Sequence, residues 1–586
     1  MKYSRQTHFD FLESELKAQT NAFKKKLDTA AQYLLLKRGE MFVSQFLSFK
    51  DGEMILKFSV NRSMPRKGEF LYCMVLPKEL RNYHNWGEMT YGDLVKQKAY
   101  FSEIVCIWHA KSSDPGYTIA GFRGVDIDFA EAISDANGII LVLGPNKPPY
   151  EYITNLQRVV KESADNESNL LDAEYIPHGW SPTLLDGKKS VSEFVQAQLT
   201  LSPTIILQGP PGTGKTYMIA ELCRDFCKQG KSVLVTALTN RALMEIAEKK
   251  ALANLVTDGK VMKTNLSVDE QHELPNLQRT KDLLPHKGVL MLSTFFITSG
   301  AADAAMPAFD YVIMDEASQA LLAMFQVSRI LGQRQVWIGD IKQLPPVVAI
   351  SEDKINKRGY SQLVAGLNTL TECSAVPIYQ LTDTYRLSKR ATEFTKVFYN
   401  GNYFPKSTEV EDFQLGNSEI SDILHAGGGP TLLKTELPIG EVAPKAALAL
   451  AAIIVKKIYE QNKKINVAVL TCMVETAKQL QTAIFQTSGT HENLIVDTVA
   501  RVQGLTTDVC VFVIPNTATF RSLEARLFNV ATSRAKGYTL IITDKDIMEC
   551  RMSKEVHAYL QKLEENFSFY YPIHEFHNSQ TMGCIL

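Results

Sequence analysis

The sequence predicts an α/β protein with two tandem lobes, each a parallel sheet with helices on both faces. Two observations predict this fold. After about residue 190, short apolar segments alternate with helical ones, which is typical of strands buried on both faces. The alternation starts again at about residue 375, and a chain of 586 residues is too long for one hydrophobic core. The predicted strands are Ile205–Gln208, Val233–Thr236, Val289–Ser293, Tyr311–Asp315 and Val336–Gly339 in the first lobe, and Ile378–Leu381, Val467–Thr471, Ile495–Val499, Val509–Ile514 and Thr539–Thr543 in the second.

The N-terminal 40 residues have a helical pattern. Residues 4–37 contain no Gly or Pro, and their apolar residues recur at steps of three, four or seven. This pattern predicts one long amphipathic helix, and we expect residues 1–40 to form a helical stalk. Three consecutive lysines, Lys24, Lys25 and Lys26, form either a solvated face of this helix or a phosphate contact.

Residues 41–145 are predicted to form a separate β domain. Met54, Leu56, Phe58 and Val60 alternate at a step of two, and further short apolar runs are separated by Gly, Pro and Asn. This is the pattern of a small antiparallel barrel. The first lobe is then expected at residues 146–374 and the second at 375–586.

Charge, apolar runs and cysteines limit the classes of function. The net charge of −1 requires any nucleic-acid site to be a local groove. The N-terminus lacks the apolar region of a signal peptide, and the longest apolar run, 446–455, is about half a membrane span. Nine cysteines without a CxxC pair favour free thiols in a reducing cytoplasm. Cys223 and Cys227, one helical turn apart, are metal ligands or small core residues.

A phosphate-binding loop follows the first predicted strand of the first lobe. Its glycines let backbone N–H groups surround phosphates, and the following helix N-terminus favours their negative charge. We expect Lys215 to reach the β and γ phosphates of ATP and the Thr216 hydroxyl to bind Mg²⁺. The loop, called the phosphate loop below, consists of Gly209, Pro210, Pro211, Gly212, Thr213, Gly214, Lys215 and Thr216.

Two acidic residues end a later apolar strand of the same lobe. Asp315 and Glu316 are placed at the sheet edge, beside the phosphate loop. Asp315 is predicted to hold the Mg²⁺ shell, and Glu316 to activate the water that attacks the γ phosphate. An acidic turn without a catalytic role is the alternative interpretation.

The remaining motifs carry a family resemblance. The segment Gly339–Pro346, with Gln343, resembles the third motif of superfamily-one helicases, and Thr384–Arg386, Asp497–Gly504 and Asn529–Lys536 resemble the fourth, fifth and sixth. The resemblance implies two RecA-like lobes of the AAA-type P-loop class. It also implies that Gln343 contacts the γ phosphate and that Arg386 and Arg534, from the second lobe, stabilise its developing charge. Tyr385 resembles the aromatic residue that stacks on adenine, and Gly504 belongs to the nucleotide site.

The branch that the chain resembles is that of the nonsense-mediated-decay helicase. The sequence Asp-Glu-Ala-Ser-Gln at 315–319, the Thr-Tyr-Arg element and the β insertion carry this likeness. In that family the motor moves 5′ to 3′ on one strand of RNA or DNA. No Cys/His-rich zinc module precedes the predicted lobes, so we do not expect the regulatory partner surface of the decay helicase.

The resemblance also implies a path for a single strand of nucleic acid. Short hydroxyl and amide side chains at strand ends can bind phosphate oxygens without reading bases. Turn or helix capping is the alternative role for each. The residues at these positions are Thr239, Asn240, Ser293, Thr294, Thr471 and Thr498.

Two positions depart from the family pattern. Where the family has an adenine-reading glutamine the chain has Ser192 and Glu193, with Gln196 and Gln198 too close to the phosphate loop for assignment. Where it has a ribose-side glutamate, the chain has Thr506. These departures put the choice of nucleotide in doubt and leave the phosphate chemistry intact.

The sequence thus predicts a monomeric, ATP-dependent and Mg²⁺-dependent helicase or translocase on single-stranded RNA or DNA. The alternative is a nucleotide-gated protein that grips nucleic acid or displaces proteins without unwinding. A coupled nuclease is not expected, because no acidic metal cluster is evident beyond about residue 550.

Overall fold

The computed structural model divides into two compact units. Residues 1–20 and 149–408 form unit 1, and residues 21–148 and 409–586 form unit 2. The structure describes residues 3–37, 39–50, 52–60, 64–65, 70–76, 86–96, 101–125, 127–133, 138–145, 150–163, 170–179, 181–185, 190–266, 268–303, 305–373, 376–406, 413, 415, 420–515 and 520–572.

The N-terminal segment is helical but not continuous. Helix α1 spans Arg5–Thr29 and α2 spans Gln32–Lys37. Between them Ala31 forms an isolated antiparallel bridge with Thr90, so the single long helix predicted for residues 4–37 is wrong at this point. The sequence reads as helical throughout because the break contains no Gly or Pro; the pairing with Thr90 is a tertiary interaction.

Six antiparallel strands of unit 2 close into a barrel in the order β1-β2-β5-β4-β3-β6. Alternate side chains of β2, including Met54, Leu56 and Phe58, point into the barrel core. The strands are β1 (Phe42–Lys50), β2 (Glu53–Ser59), β3 (Phe70–Val75), β4 (Phe101–Lys111), β5 (Tyr117–Arg123) and β6 (Ile140–Leu143), accompanied by helices α3 (Tyr91–Lys96) and α4 (Ile127–Ile133).

Unit 1 contains a parallel sheet in the order β11-β10-β12-β9-β13-β14-β8-β15-β7. Ile206 of β8 packs into one apolar cluster, and its neighbours Ile205 and Leu207 pack into another, so the strand is buried on both faces. The strands are β7 (Thr183–Leu185), β8 (Thr204–Gln208), β9 (Val233–Ala237), β10 (Val261–Thr264), β11 (Gln278–Thr280), β12 (Leu290–Thr294), β13 (Phe309–Met314), β14 (Gly332–Gly339) and β15 (Ile378–Leu381).

Helices cover this sheet, and a short parallel pair, β16 (Asp383–Thr384) and β17 (Phe404–Pro405), follows it. Cys223 and Cys227 are buried in one of the two apolar clusters, as small core residues would be. The helices are α5 (Tyr150–Glu162), α6 (Val191–Leu201), α7 (Lys215–Lys228), α8 (Asn240–Ala247), α9 (Ala253–Thr257), α10 (Val268–Glu273), α11 (Phe295–Ala301), α12 (Leu322–Leu331), α13 (Glu352–Arg358), α14 (Ser361–Val364), α15 (Gly366–Glu372) and α16 (Lys389–Thr395).

One predicted strand lies in the other sheet. Ile378–Leu381 was expected to open the second lobe, but it pairs in parallel with β8, with Ile378 opposite Ile206. A short apolar strand carries no local signal for the sheet that it joins, because its partner lies about 170 residues away in the chain. The second parallel sheet begins instead at Gly429.

The second sheet, in unit 2, has the order β20-β19-β21-β22-β18-β23, and every pairing in it is parallel. Its central strands are buried along their whole length. The elements are β18 (Gly429–Thr435), α17 (Lys445–Gln461), β19 (Val467–Thr471), α18 (Val474–Ser488), β20 (Leu494–Thr498), β21 (Thr507–Val513), α19 (Ala525–Thr532), β22 (Ala535–Asp544), α20 (Lys554–Asn566) and β23 (Ser568–Tyr571). None of the helices described in either unit is long and apolar enough to cross a bilayer.

Candidate nucleotide site

The candidate site lies at the carboxyl ends of three strands of unit 1. Strand β8 leads into the phosphate loop, β13 leads into Asp315, and β14, between them, leads into the segment that carries Gln343. The backbone N–H of Gly209 donates to the carbonyl oxygen of Gly339 at 2.8 Å, so the phosphate loop starts against the end of β14. The parallel register therefore brings the three motifs to one edge of the sheet.

Two glycines of the phosphate loop occupy positions that other residues would not fit. Gly212 has a φ of +70°, and a Cβ there would lie 2.3 Å from the Cβ of Arg386. Gly214 has a φ of +78° and is the N-cap of α7. A side chain at either position would meet the strain of left-handed backbone, and at Gly212 it would also meet a clash. The loop thus leads directly into a helix N-terminus, where backbone N–H groups can bind an anion.

Lys215 and Asp315 provide the two main charges of the site. The Lys215 ammonium donates to the carbonyl oxygens of Gly209 at 2.6 Å and Pro210 at 3.2 Å. Asp315 is only 5% exposed. Burial raises the pKa of its carboxyl group, and the nearby Lys215 ammonium opposes that rise. A second cation beside this carboxylate would favour its charged form further.

Glu316 is held in an unusual backbone conformation. Its φ is 51° and its ψ is 36°, in the left-handed region that a non-glycine residue rarely adopts. Its backbone N–H donates to Oδ1 of Asp315 at 2.9 Å, and Oε2 accepts from the Gln319 amide at 3.4 Å. Backbone strain of this kind is concentrated at functional sites. The half-buried carboxylate is positioned by residues of its own motif.

Gln343 is bound to a buried carboxylate on the same segment. Its side-chain amide donates to Oδ2 of Asp340 at 3.0 Å. The amide of Gln208, the residue before the phosphate loop, donates to the other oxygen, Oδ1, at 2.5 Å. Asp340 therefore joins the strand end before the phosphate loop to the segment that carries Gln343.

Tyr385 and Arg386 were predicted to belong to the second lobe, and this prediction is wrong. Both residues lie in unit 1, where they contact the phosphate loop. The backbone N–H of Tyr385 donates to the carbonyl oxygen of Gly212 at 2.8 Å, and the Thr384 hydroxyl donates to that of Pro211 at 3.2 Å. The physical reason is the pairing of β15 with β8, which leads the chain directly to the loop. The Tyr385 side chain is 65% exposed.

The donor set of this edge fits Mg²⁺ and a nucleoside triphosphate. A buried carboxylate, Asp315, and a hydroxyl on the first turn of α7, Thr216, are the hard oxygen ligands that Mg²⁺ prefers. The N–H groups of the phosphate loop and the Lys215 ammonium fit the phosphates. The exposed ring of Tyr385 fits a nucleobase.

Arg534 and Gly504 belong to unit 2. Arg534 is 1% exposed, and its guanidinium donates to the carbonyl oxygens of Val530 at 2.8 Å and Leu505 at 3.3 Å. Gly504 is exposed and has a φ of +86°. Arg534 is thus held against the loop that contains Gly504, within the second sheet's own unit.

The residues predicted to contact a nucleic-acid strand lie at, or just after, the carboxyl ends of β-strands in both units. In unit 1, Thr239 caps α8 by accepting from Ala242 N–H at 3.2 Å, which is its predicted alternative role. The Asn240 amide oxygen accepts from the buried Lys263 ammonium at 2.9 Å. Ser293 is buried and hydrogen bonds Thr264 at 2.9 Å, and Thr294 precedes α11.

In unit 2, Thr471 and Thr498 are paired across β19 and β20. Both are buried, and within the described part of the chain the Thr471 hydroxyl has no hydrogen-bond partner. The Thr498 hydroxyl donates to Oδ1 of Asp497 at 3.3 Å. The structure brings each set of candidates together at the carboxyl end of its own sheet.

The two glutamines considered as base readers have other partners. Gln196 donates to Ser192 Oγ at 3.3 Å and to Asp225 at 3.4 Å, and Gln198 accepts from the Tyr379 hydroxyl at 2.8 Å. Both therefore hold α6 against neighbouring elements. Their position just before the phosphate loop is explained by these structural contacts.

Sequence reasoning missed several residues that the structure places at this edge. Gln208 directly precedes the phosphate loop and Asp340 lies inside the Gly339–Pro346 motif, so their positions next to Gly209 and Gly339 were an available signal. Tyr399 donates to Oδ2 of Asp340 at 2.7 Å, and the Tyr403 hydroxyl donates to the carbonyl of Pro211. Neither tyrosine lies in a motif, and only the fold brings them to the site.

The strand, glycine-rich loop and helix, with a lysine facing a buried aspartate, define a P-loop nucleoside triphosphatase. Residues 192–349 match the family model of an AAA domain. The DNA replication ATP-dependent helicase/nuclease DNA2 of Saccharomyces cerevisiae is 29% identical over 209 residues, which cover 35% of this chain and 13% of the relative. The regulator of nonsense transcripts 1 homolog of Arabidopsis thaliana is 29% identical over 295 residues, which cover 40% and 23%.

A solved structure, an arterivirus nonstructural protein 10 helicase, aligns with 87% of this chain and 79% of its own, at 12% identity and a TM-score of 0.36. The sequence comparisons confirm that the chain resembles the superfamily-one helicases of the nonsense-mediated-decay branch, and they confirm the prediction of a helicase-class nucleoside triphosphatase. The matched regions make up less than a quarter of either curated relative.

Proposed function

We propose that this protein is an ATP-driven motor that moves 5′ to 3′ along single-stranded nucleic acid and unwinds duplexes. The phosphate loop carries the proposal, because it is joined to the Gln343 segment through Gly339 and to Tyr385 through Gly212. A bound nucleotide would therefore touch three segments of unit 1 at once. Such contacts are what a nucleotide-dependent change of conformation requires.

The proposed roles follow from the chemistry of each side chain. Lys215 would bind the β and γ phosphates, and Thr216 and Asp315 would hold Mg²⁺, whose charge would offset that of the phosphate oxygens. Glu316 orients the attacking water and accepts its proton. Gln343, Arg386 and Arg534 stabilise charge on the transferred group, Tyr385 stacks on the base, and Gly504 lines the nucleotide site.

The hydroxyl and amide side chains at the sheet edges are proposed to contact phosphates of the strand. Thr239, Asn240 and Thr294 lie at the carboxyl edge of the first sheet, and Thr471 and Thr498 at that of the second. Ser293 and Thr471 are fully buried and would act by supporting their neighbours Thr294 and Thr498. These side chains read no bases, which suits a motor that steps along any sequence of RNA or DNA.

The N-terminal helices are proposed to form a stalk, and the barrel to be an accessory domain that helps to bind the nucleic-acid strand. The Lys478 ammonium of α18 lies 5.0 Å from the ring centroid of Phe42 in the barrel, so the barrel contacts a helix of the second sheet within unit 2. A monomeric motor in a reducing cytoplasm is part of the proposal. Eight described cysteines are free thiols, which supports that location; the ninth, Cys584, lies outside the described residues.

Strand displacement with tailed duplexes tests the proposal. Each duplex carries a single-stranded tail at either its 5′ or its 3′ end, in RNA and in DNA versions, and the Lys215→Ala variant is the control. We expect ATP-dependent displacement from 5′-tailed duplexes only. ATP-dependent removal of a protein block without duplex opening would support the alternative, a remodeller that does not unwind. Displacement that does not require ATP would contradict both.

A further inference from the structure

Asp340 is the centre of a buried hydrogen-bond network beside the phosphate loop. The residue is 2% exposed, and each carboxylate oxygen accepts two hydrogen bonds. Oδ1 accepts from Gln208 Nε2 at 2.5 Å and from the backbone N–H of Lys342 at 3.0 Å. Oδ2 accepts from Gln343 Nε2 at 3.0 Å and from the Tyr399 hydroxyl at 2.7 Å. These four donors satisfy the carboxylate and fix its orientation.

The orientation of Asp340 determines where the Gln343 amide points. Gln343 is itself buried, and its side-chain amide donates to Oδ2 of Asp340, the same oxygen that accepts from Tyr399. Without the Tyr399 hydroxyl, Oδ2 loses its shortest donor, and both the carboxylate and the amide can rotate. A buried network of this kind loses more than a single bond when one member is removed.

Tyr399 comes from a segment that also contacts the phosphate loop. Four residues later, the Tyr403 hydroxyl donates to the carbonyl of Pro211, and the two tyrosine rings lie 5.2 Å apart. The segment after α16 therefore touches both the loop and Asp340. A shift of the phosphate loop would reach Asp340 through these two rings.

We propose that Tyr399 is a positioning residue for ATP hydrolysis: its hydroxyl holds Asp340, and Asp340 holds the Gln343 amide toward the phosphates. The proposal rests on the proposed function of the phosphate loop as an ATP-hydrolysing site. It assigns a role to a residue outside every recognised motif. Tyr403, which contacts the loop backbone, is the second member of the pair.

The test is Tyr399→Phe, which removes one oxygen and retains the packed ring. A hydrogen bond to a charged group is worth enough for roughly a tenfold effect. We expect kcat for ATP to fall about tenfold while KM changes less than about twofold, because the phosphate loop is intact. Tyr152→Phe is the matched control, since its buried hydroxyl has no hydrogen-bond partner among the residues that the structure describes, and it should leave both constants unchanged.

A double-mutant cycle separates positioning from general stability. If Tyr399 acts through Gln343, Gln343→Ala and the double variant should have the same kcat, because the hydroxyl then has nothing to position. Multiplied losses in the double variant, or an unchanged kcat in Tyr399→Phe, would overturn the proposal. Should Tyr399→Phe be insoluble, Asp340→Asn replaces it with the same expected loss and the same cycle.

The proposed function is checked in the same experiment. A wild-type protein that does not hydrolyse ATP overturns the proposed function, and the positioning role with it. An active wild type with an inactive Lys215→Ala and an unaffected Tyr399→Phe overturns the positioning role alone. The two failures are therefore distinguishable.

Discussion

The backbone N–H of Tyr385 donates a hydrogen bond to the carbonyl oxygen of Gly212 at 2.8 Å. This bond places an exposed aromatic ring next to a loop that can bind phosphates, although the two residues are more than 170 positions apart in the sequence. The ring and the loop can therefore bind the two ends of one nucleotide.

Tyr385→Ala is expected to weaken nucleotide binding without removing the catalytic groups. Stacking of a base on an aromatic side chain contributes about 1–3 kcal/mol, so KM for ATP should rise roughly tenfold or more. GTP should be affected in the same way, because stacking does not distinguish the bases. Tyr385→Phe, which retains the ring, should have a KM close to that of the wild type. Steady-state phosphate release measures KM for the wild type and for both variants, with ATP and with GTP.

Lys215→Ala and Glu316→Gln should fail at different steps. The first variant loses the ammonium that binds phosphates, so hydrolysis should be abolished with little effect on folding. The second loses only the group that accepts a proton, so it should bind ATP and retain it unhydrolysed. A fluorescent ATP analogue measures binding, and phosphate release measures turnover. Glu316→Gln that cannot bind nucleotide would show that this strained residue is structural.

Much of this site could be predicted from sequence because its signals are local. The phosphate loop directly follows a strand, and Asp315 and Glu316 directly end another, so chain order alone placed them at one edge. The sequence could not show which sheet the strand Ile378–Leu381 joins, because its partner β8 is distant in the chain. Strand β18 was missed because it begins Gly429-Pro430, which reads as a turn. Tyr399 had no signal at all, since its partner Asp340 is a tertiary neighbour.

Glu15 of α1 is expected to stabilise the segment that follows the Gln343 motif. Its buried carboxylate accepts from the N–H of Ala349 at 2.8 Å and of Ile350 at 3.0 Å. Glu15→Ala leaves both N–H groups unpaired and should lower the free energy of unfolding by about 3 kcal/mol. Glu13→Ala is the control, because it removes only an exposed ion pair with Lys17 and should change stability by less than about 1 kcal/mol. Urea denaturation measures both, and equal losses would contradict the buried role of Glu15.

His8 should make the protein sensitive to acid. It is 1% exposed, and burial lowers the pKa of its imidazole from 6.5 to about 4, against the opposing effect of Asp172. Between these values the unfolded chain binds the proton and the folded chain does not, so stability is lost as the pH falls below 6.5. The loss between pH 7.5 and pH 5 should be about 2 kcal/mol.

Replacing the imidazole with a ring that cannot titrate tests this prediction. His8→Phe should reduce the difference in urea midpoint between pH 7.5 and pH 5. The same replacement at His557, which is exposed on α20, should leave that difference unchanged. A His8→Phe protein with the wild-type pH dependence would show that other groups cause the acid sensitivity.

The rate of ATP hydrolysis with no polymer, with single-stranded RNA and with single-stranded DNA tests the central claim most directly. A motor whose phosphate loop responds to a bound strand should hydrolyse ATP at least about tenfold faster with one of these polymers, a difference of about 1.4 kcal/mol. The stimulation should weaken as salt is raised, because the proposed contacts are to phosphates. Lys215→Ala should be inactive in all three conditions. A wild-type rate that neither polymer changes, with a protein that binds ATP, would contradict the account of a nucleic-acid motor.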